Sequence, residues 1–419
     1  MRKSANKEDK KVAVVIQNLI QFYTLKEFID SYKNAIIHIF IPQREEDESG
    51  FNEIFETTYN YLKNKYPSSI YRGNNGLHYN ILLEPYYIDS EIASISADYK
   101  IKYKYSAISA KTNPSYSPEF NSGYDAILCY SNYEKDLLSI YAKTYLVGKL
   151  NYCKFKKEKN RKKTVLYLPT YGAVSSLKND LDAFRALKRE EKYKVIIKLH
   201  HGTVHLASES INSAQIEEVF DDILDEKTPL ENILAKADVV VSDNSGSLFE
   251  AIYAGVPVCS ISAVKTNNQY NGLYPLQDSL RKSRVIPYRK TVTNISSLIK
   301  ETLSKETIEK QMRFRREQFP LTRDELLDSF TKVIDYFLQK NIAEGDKRRI
   351  QLRRILDRCR EEQTNDLRQE VDVLSKEVDA LSKEVIILNK KLKEYDRCLY
   401  RTSAKIYRIV DKSKRKESS

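Results

Sequence analysis

The feature that most constrains the fold is the recurrence of short, continuous apolar runs separated by segments with helical spacing. Such runs are typical of parallel strands that helices cover on both faces, so the alternation predicts an α/β chain. The runs form two series, and we expect two Rossmann-type sheets that face each other across a cleft. In chain order the runs are "VAVVIQ", "AIIHIFI", "YNILLE", "YDAILCYS" and "KTYLVG", then "TVLYLPT", "KVIIKLH", "ADVVVSD" and "VPVCSIS".

A charged stretch divides the two series. The segment "KFKKEKNRKK" (residues 154–163) contains almost no core-forming residues, which suits a linker between an N-terminal domain (1–153) and a C-terminal domain (164–340). A solvated linker is the favoured interpretation of this basic run. The alternative is that its positive potential steers an anionic ligand toward the cleft.

The end of the chain has a different pattern. Between residues 341 and 400, Val and Leu recur at alternating spacings of four and three, and this predicts a coiled coil. Val at one heptad position and Leu at the other favour a parallel homodimer, and a helix folded back on its own domain is the alternative. The basic tail (401–419) either touches an anionic membrane surface or is a solvated end. The repeating residues are Leu367, Val371, Leu374, Val378, Leu381, Val385, Leu388, Leu392, Tyr395 and Leu399.

Composition narrows the partners and the compartment. Lys and Arg total 70 against 58 Asp and Glu, and this difference of +12 favours nucleotides, phosphopolymers or membrane surfaces; nucleic acid is not an expected partner. The five cysteines form no CxxC pair and no cluster at metal-ligand spacing, which argues against a disulfide framework or a zinc module. The apolar N-terminal stretch predicts a first strand of a cytosolic protein rather than a signal peptide. No run reaches the ~20 apolar residues of a membrane-spanning helix.

The segment "ADVVVSDNSGSLFEAIYAG" predicts a strand, a polar hinge and a helix that ends at Gly255. We call residues 242–247, "SDNSGS", the hinge. Ligands in open α/β sheets bind beyond the carboxyl ends of strands, where a helix N-terminus offers free amides. A diphosphate fits such a hinge, with close backbone approach at Gly246 and hydroxyl donors at Ser245 and Ser247. Ordinary helix capping by Asn244 or Ser245 is the alternative.

Two other strand ends are expected at the same edge. The run "VLYLPTYG" ends in Pro169, Thr170 and Tyr171, and "VIIKLHHGTVH" ends in a basic and imidazole-rich group. An imidazole here can take a proton from an attacking hydroxyl or, when charged, neutralise a phosphate. Zinc binding is disfavoured because no Cys or acidic cluster accompanies these residues. The group consists of Lys198, His200, His201 and His205.

The motifs "VLYLPTYG", "KVIIKLHHG" and "LAKADVVVSDNSGSLFEAIYAGVPV" together resemble the nucleotide-binding half of the CDP-glycerol glycerophosphotransferase family. That family contains GT-B-fold transferases that build teichoic acids and related capsular polymers. The resemblance covers roughly residues 90–265 and rests on motif order and spacing. It implies a GT-B-like fold and a histidine at the donor phosphates, which falls on His200. The diphosphate-binding hydroxyls fall on Ser245 and Ser247, and the Pro-Thr strand end falls on Pro169 and Thr170.

One family motif has no counterpart. The resembled enzymes carry a His-Gly-Thr motif in the N-terminal domain that supplies a catalytic base, whereas the segment before "YDAILCYS" contains no histidine. Either another group acts as base or the substrate differs. Many GT-B glycosyltransferases place a ribose-binding carboxylate where Glu250 stands, and sialyltransferases of this fold hold CMP with a similar histidine and serine pair. Simple stabilisation of the helix N-terminus is the other interpretation of Glu250.

These observations predict a GT-B-like transferase that uses a nucleotide-activated donor to extend a polysaccharide or lipid-linked acceptor, without a metal or cofactor. Glycerol- or ribitol-phosphate transfer is placed ahead of glycosyl transfer. A sugar-nucleotide 2-epimerase and an inactive coiled-coil scaffold are the alternatives. We expect a cytoplasmic protein, either free or peripheral at the inner face of the membrane. His200 is the expected catalytic residue, and the expected donor-binding residues are Thr170, Lys198, His201, Asp243, Asn244, Ser245, Gly246, Ser247 and Glu250.

Overall fold

The chain divides into two units, residues 1–349 and 350–419, which are described separately. In the computed structural model the described residues are 9–43, 51–85, 95–104, 106–108, 121, 123–159, 162–171, 175–200, 203, 213–225, 227–261, 275–290, 294–340, 351, 354–355, 358, 362 and 365–394.

The N-terminal half of the first unit is a seven-stranded sheet in the order β3-β2-β1-β4-β5-β6-β7, and every pairing is parallel. Chain order reverses direction between β1 and β4, as in a doubly wound Rossmann-type sheet. The strands are β1 (Lys11–Val15), β2 (Ile36–Ile41), β3 (Ile70–Arg72), β4 (Tyr79–Glu84), β5 (Ala97–Tyr103), β6 (Ala126–Cys129) and β7 (Lys143–Leu146). The described helices are α1 (Leu19–Ser31), α2 (Phe51–Lys63) and α3 (Asn132–Leu138), followed by a 3-10 turn at Leu150–Tyr152.

The C-terminal half contains a six-stranded sheet in the order β10-β9-β8-β11-β12-β13, again with every pairing parallel. Its switch point lies between β8 and β11. The strands are β8 (Lys163–Leu168), β9 (Tyr193–Lys198), β10 (Asp222–Leu224), β11 (Val239–Ser242), β12 (Val258–Ile261) and β13 (Tyr288–Arg289). The helices are α4 (Leu177–Arg189), α5 (Ser213–Val219), α6 (Leu230–Lys236), α7 (Ser247–Ala254), α8 (Pro275–Lys282), α9 (Ile295–Thr302), α10 (Lys305–Gln318) and α11 (Arg323–Gln339).

Helix α11 packs on the N-terminal half although it follows the C-terminal sheet. The ring of Phe330 lies 5.0 Å from that of Phe28 on α1, and the ring of Phe337 lies 5.1 Å from that of Tyr99 on β5. Both phenylalanines are buried, so the helix contributes its apolar face to a core that includes residues of both sheets. The predicted C-terminal domain (164–340) therefore ends in a helix that stabilises the N-terminal one.

The predicted α/β class, with two Rossmann-type parallel sheets and a helical C-terminal extension, is confirmed. Gly255 ends α7 with a φ of 75°, a left-handed conformation that favours glycine, as the sequence predicts. The segment "TPLE" (residues 228–231) has the sequence pattern of a capping box with proline in the first turn of α6, but it does not form one. Thr228 bonds to Asp225, and the residue before the helix is Pro229, which makes no side-chain cap.

The predicted linker does more than join the two sheets. The backbone N–H of Glu158 donates to the carbonyl of Ala235 at 2.8 Å, and the Lys157 ammonium lies 3.4 Å from the carbonyl of Leu234. Both carbonyls belong to the last turn of α6, where cations and donors are stabilising. Lys157 and Glu158 therefore dock on the C-terminal half, whereas Lys154, at the start of the linker, pairs with Glu27 on α1 at 2.7 Å.

In the second unit, residues 365–394 form a helix. The Val and Leu residues of the predicted seam, from Leu367 to Leu392, are each more than half exposed in the single chain. Tyr395, Leu399 and the basic tail lie outside the described residues. Within the described part of the chain, no helix combines the length and the apolar character needed to cross a membrane.

Candidate functional site

The hinge lies at the switch point of the C-terminal sheet. Strand β11 ends at Ser242 and α7 begins at Ser247, so the hinge is the turn between them. The neighbouring strand β8, on the other side of the switch point, ends two residues before Thr170. Crevices at this position are where open α/β sheets bind ligands.

Buried hydrogen bonds fix the inner side of the hinge. The Asp243 carboxylate accepts from the backbone N–H of Thr170 at 2.9 Å and from the backbone N–H and hydroxyl of Ser176 at 3.0 and 3.2 Å. Burial raises the pKa of the Asp243 carboxyl to about 6, although these hydrogen bonds lower it. The visible role of Asp243 and Thr170 is thus to join the ends of β11 and β8, and their contact with a donor stays a prediction.

The outer side of the hinge presents backbone amides. Gly246 is the N-cap of α7 with φ −60°, and as a glycine it has no side chain with which to cap the helix. The Ser247 N–H donates to the Ser245 hydroxyl at 3.3 Å, so Ser245 caps the first turn as the alternative interpretation of the hinge holds, and the Ser247 hydroxyl bonds to that of Ser242 at 2.9 Å. Among the described residues, the Ser245 and Gly246 N–H groups make no hydrogen bond. These amides and the helix dipole favour an anion.

A positive charge lies beneath the hinge. The Arg281 guanidinium, on α8, donates to the Asn244 side chain at 3.1 Å and to the Ser260 hydroxyl at 2.7 Å, and it lies 3.3 Å from the Asp243 carbonyl. Its side chain is 11% exposed; it forms an ion pair with Asp278 at 3.4 Å and also interacts electrostatically with Asp243. A largely desolvated cation next to free amides strengthens the case for an anion site. The sequence places Arg281 in an ordinary amphipathic helix and gives no signal of this role.

His200 lies in contact with the end of the neighbouring strand. Its ring stacks on that of Tyr171, with centroids 4.5 Å apart and planes inclined by 24°. Because Thr170 bonds to Asp243, contacts run continuously from His200 through the end of β8 to the hinge. Lys198 donates to the Asp225 carbonyl at 2.5 Å. The other two histidines of the predicted group, His201 and His205, lie outside the described residues.

Glu250 bonds to the N-terminal half. Its Oε1 accepts from the Lys149 ammonium at 2.6 Å and from the backbone N–H of Ala107 at 2.7 Å, and its Oε2 accepts from the Tyr152 hydroxyl at 3.0 Å. All four groups are buried. Both carboxylate oxygens therefore have protein partners in this structure, and ribose binding by Glu250 stays a prediction.

The carboxyl edge of the N-terminal sheet carries buried charges that the sequence analysis did not single out. Glu84 ends β4 and pairs in register with Lys102 on β5, while the Lys104 ammonium lies 3.5 Å from the Glu134 carboxylate. Burial, and then the neighbouring Lys104 charge, lower the pKa of Lys102 to about 6. Lys102 donates to the Asn121 side chain at 2.9 Å. Within the described residues, no three His, Cys, Asp or Glu side chains are grouped so as to hold a metal ion.

Comparison with known proteins gives structural matches only. No protein-family model matches the sequence, and no curated protein sequence matches it. The chain is similar to a wall teichoic acid polymerase, TagF, at 11% identity over 80% of this chain and 90% of that one, with a TM-score of 0.47. It is also similar to a UDP-GlcNAc 2-epimerase from Neisseria meningitidis bound to UDP-GlcNAc (10% identity, 79% and 100% of the two chains, TM-score 0.45). A third match is the glycotransferase of kitacinnamycin (11% identity, 79% and 99%, TM-score 0.43). The assignment of the fold rests on the sheet topology of this chain itself.

Proposed function

We propose that this protein is a transferase that takes a unit from a nucleotide-activated donor and adds it to a hydroxyl of a polysaccharide or lipid-linked acceptor. The observation that supports the proposal most is the hinge. It combines a switch-point position, the Ser245 and Gly246 N–H groups, which have no hydrogen-bond partner among the described residues, and the buried Arg281 charge. A nucleoside diphosphate is the common ligand class whose charge and size suit such a place.

The chemistry that follows is a displacement. The acceptor hydroxyl oxygen forms a bond to the transferred phosphorus or sugar carbon while the bond from that atom to the bridging nucleotide phosphate oxygen breaks, and the electron pair leaves on the nucleotide. Amides of the hinge and the Arg281 charge would stabilise the departing phosphate. His200 would take the hydroxyl proton or neutralise a donor phosphate. None of these steps is assigned to a metal ion.

The finer identity of the donor rests on the resemblance to the CDP-glycerol glycerophosphotransferase family. On that basis we place glycerol- or ribitol-phosphate transfer from a CDP-activated donor ahead of glycosyl transfer, with a teichoic acid or capsule as product. Location in the cytoplasm, either free or peripheral at the inner face of the membrane, belongs to the same proposal.

A second candidate is a sugar-nucleotide 2-epimerase, because such enzymes use N-terminal carboxylates around a hexose. Glu84 and Glu134 are buried at the carboxyl edge of the N-terminal sheet, where such carboxylates would lie. The products separate the two functions. A transferase changes a UDP-sugar only when an acceptor is present or water replaces it, and it releases the nucleotide. An epimerase inverts the configuration at C2 of the sugar, and the product is still a nucleotide sugar.

A thermal-shift screen with CDP, CMP, UDP and GDP tests the proposal. A ligand at about 100 times its dissociation constant adds about 2.7 kcal/mol of stability, so a matching nucleotide should raise Tm clearly. The variant Gly246→Val should lose this rise, since its methyl groups would cover the free amides. The control is Gly246→Ala, because a Cβ here lies 3.7 Å from its nearest neighbours, an ordinary contact. No shift with any of the four nucleotides would contradict the proposal.

We further propose a parallel homodimer through the helix at 365–394. The support is the heptad pattern together with the exposure of every described seam residue in the single chain. Light scattering of the full chain should give twice the monomer mass. A chain in which Leu374, Leu381 and Leu388 are changed to Lys should be monomeric, because charges at these positions would face each other across the seam. A monomeric unmodified chain would contradict the dimer.

A further inference from the structure

The Glu250 carboxylate is buried in the first turn of α7, the helix that begins at the hinge, yet its described hydrogen-bond partners all come from the N-terminal half. Lys149 and Tyr152 flank the end of the N-terminal sheet, and Ala107 follows β5. A carboxylate is well suited to this place, since it accepts several hydrogen bonds at once and balances the buried Lys149 charge.

The segment held by Glu250 reaches the hinge itself. We call residues 106–108 the docking loop; all three are buried. A Cβ on Gly246 would lie 3.7 Å from the carbonyl oxygen of Ile108 and 3.7 Å from the Cβ of Ser106. The docking loop is therefore in near contact with the glycine whose amide faces the predicted phosphate position.

We propose that Glu250 is a positioning residue that fixes the docking loop against the hinge, so that the N-terminal half supplies one wall of the donor phosphate site. The inference rests on the proposed function. Glu250 lies one helical turn after the hinge amides and in this proposal does not contact the phosphate. It affects phosphate binding through the hydrogen bond from the Ala107 N–H, which holds the docking loop in place. Without that acceptor the Ala107 N–H would be buried and unbonded, which costs about 1–3 kcal/mol and favours release of the loop.

A single substitution of Glu250 cannot test this role, because it breaks the buried ion pair between Lys149 and Glu250, which destabilises by about 3–5 kcal/mol. Two double variants avoid the problem. Lys149→Met with Glu250→Gln removes both charges and keeps an oxygen that can accept from Ala107. Lys149→Met with Glu250→Met removes both charges and that oxygen, at nearly the same side-chain volume. The pair therefore differs chiefly in the acceptor for the docking loop.

Two measurements follow on this pair, after urea unfolding has shown both to be folded. The first is hydrogen exchange at the Ala107 amide without ligand, which should be at least about 10-fold faster in the Met variant, as expected for a loss of about 1.4 kcal/mol. The second is calorimetric affinity for CDP, CMP, UDP and GDP and for inorganic pyrophosphate. Pyrophosphate, and whichever of CDP, UDP and GDP the unmodified chain binds, should bind about 10-fold more weakly to the Met variant than to the Gln variant.

Pyrophosphate separates positioning from direct contact, because it has no ribose. A loss confined to the nucleotides would mean that Glu250 touches the ribose, and this would overturn the inference. Equal exchange at Ala107 or equal affinities in the two variants would also overturn it, and either result leaves the proposed function intact. If the unmodified chain binds none of the five ligands, the proposed function fails and the inference fails with it.

Discussion

Burial shifts the pKa values of ionisable side chains in opposite directions at the carboxyl edges of the two parallel sheets. At the C-terminal edge, the hinge offers serine hydroxyls and backbone amides that have no hydrogen-bond partner among the described residues. The buried acids Asp243 and Asp180 at this edge have pKa values raised to about 6 and about 7. At the N-terminal edge, the buried Lys102 has a pKa lowered to about 6. Burial is the main cause in all three cases.

Desolvation disfavours the charged form of any group, so it raises the pKa of a carboxyl and lowers that of an amine. Compared with the unfolded chain, the folded chain therefore holds additional protons on the acids of the C-terminal edge and lacks a proton on Lys102 of the N-terminal edge. Two sheets of the same doubly wound topology can therefore respond to pH with opposite signs, because the buried group differs in type.

The largest expected effect lies at the C-terminal edge. His200→Ala should lower turnover by about 10²- to 10⁴-fold, the usual scale for the loss of a positioned acid or base, while the chain remains folded by circular dichroism. The reaction to follow is transfer from the nucleotide-activated form of whichever nucleotide the thermal screen selects. His78→Ala is the matched control. His78 is exposed, lies just before β4 of the other sheet, and bonds to Ser96 and Asp98 at the start of β5, away from the hinge. Near-normal turnover of the His200 variant would remove it from the mechanism.

Much of the fold can be predicted because its strands are continuous apolar runs. Four of the described strands, β3, β5, β10 and β13, are not among the predicted runs. The most instructive is β5, since "ADYKIKY" alternates lysines with Tyr99, Ile101 and Tyr103. Its alternation is itself a strand signal, although a search for continuous apolar runs passes over it. Lys100 and Lys102 are buried in the folded chain, and nothing local in the sequence indicates that partners from other segments compensate them.

The candidate site is predictable in the same partial way. The hinge could be located because its glycine and hydroxyl residues follow an apolar strand within one short segment. Arg281 lies 37 residues after Asn244 in the chain, and Ala107 lies 143 residues before Glu250. Contacts of this kind depend on how the two halves pack, which no local pattern encodes.

The next effect tests the N-terminal edge. In the folded chain Lys102 loses its proton near pH 6, whereas the unfolded chain keeps it up to the ordinary lysine pKa of 10.5. Between these values the unfolded state binds more protons, so stability should rise with pH, by at most about 1.4 kcal/mol per pH unit. Lys102→Met should remove this rise when urea unfolding is measured at pH 6.5 and pH 9. The exposed Lys33→Met should keep it, and an unchanged slope in the Lys102 variant would show that this amine is charged in the fold.

The smallest effect tests the C-terminal edge and has the opposite sign. The Asp180 carboxyl is buried and adjacent to the Asp243 charge, which together raise its pKa to about 7 from the ordinary 3.8. Below pH 4 it is neutral in both states; between about pH 4 and pH 7 the folded chain holds the extra proton, so stability falls as pH rises. Asp180→Asn keeps the shape and removes the titration. The free energy of unfolding of the variant should be closest to that of the unmodified chain at low pH and exceed it by on the order of 1 kcal/mol at pH 8, since the aspartate is then charged in a desolvated place.

The control variant Asp182→Asn, on the exposed side of the same helix, should show no such increase in stability. If the Asp180 variant differs from the unmodified chain equally at pH 5 and pH 8, the carboxyl is already ionised at pH 5, and the opposition between the two edges fails on this side.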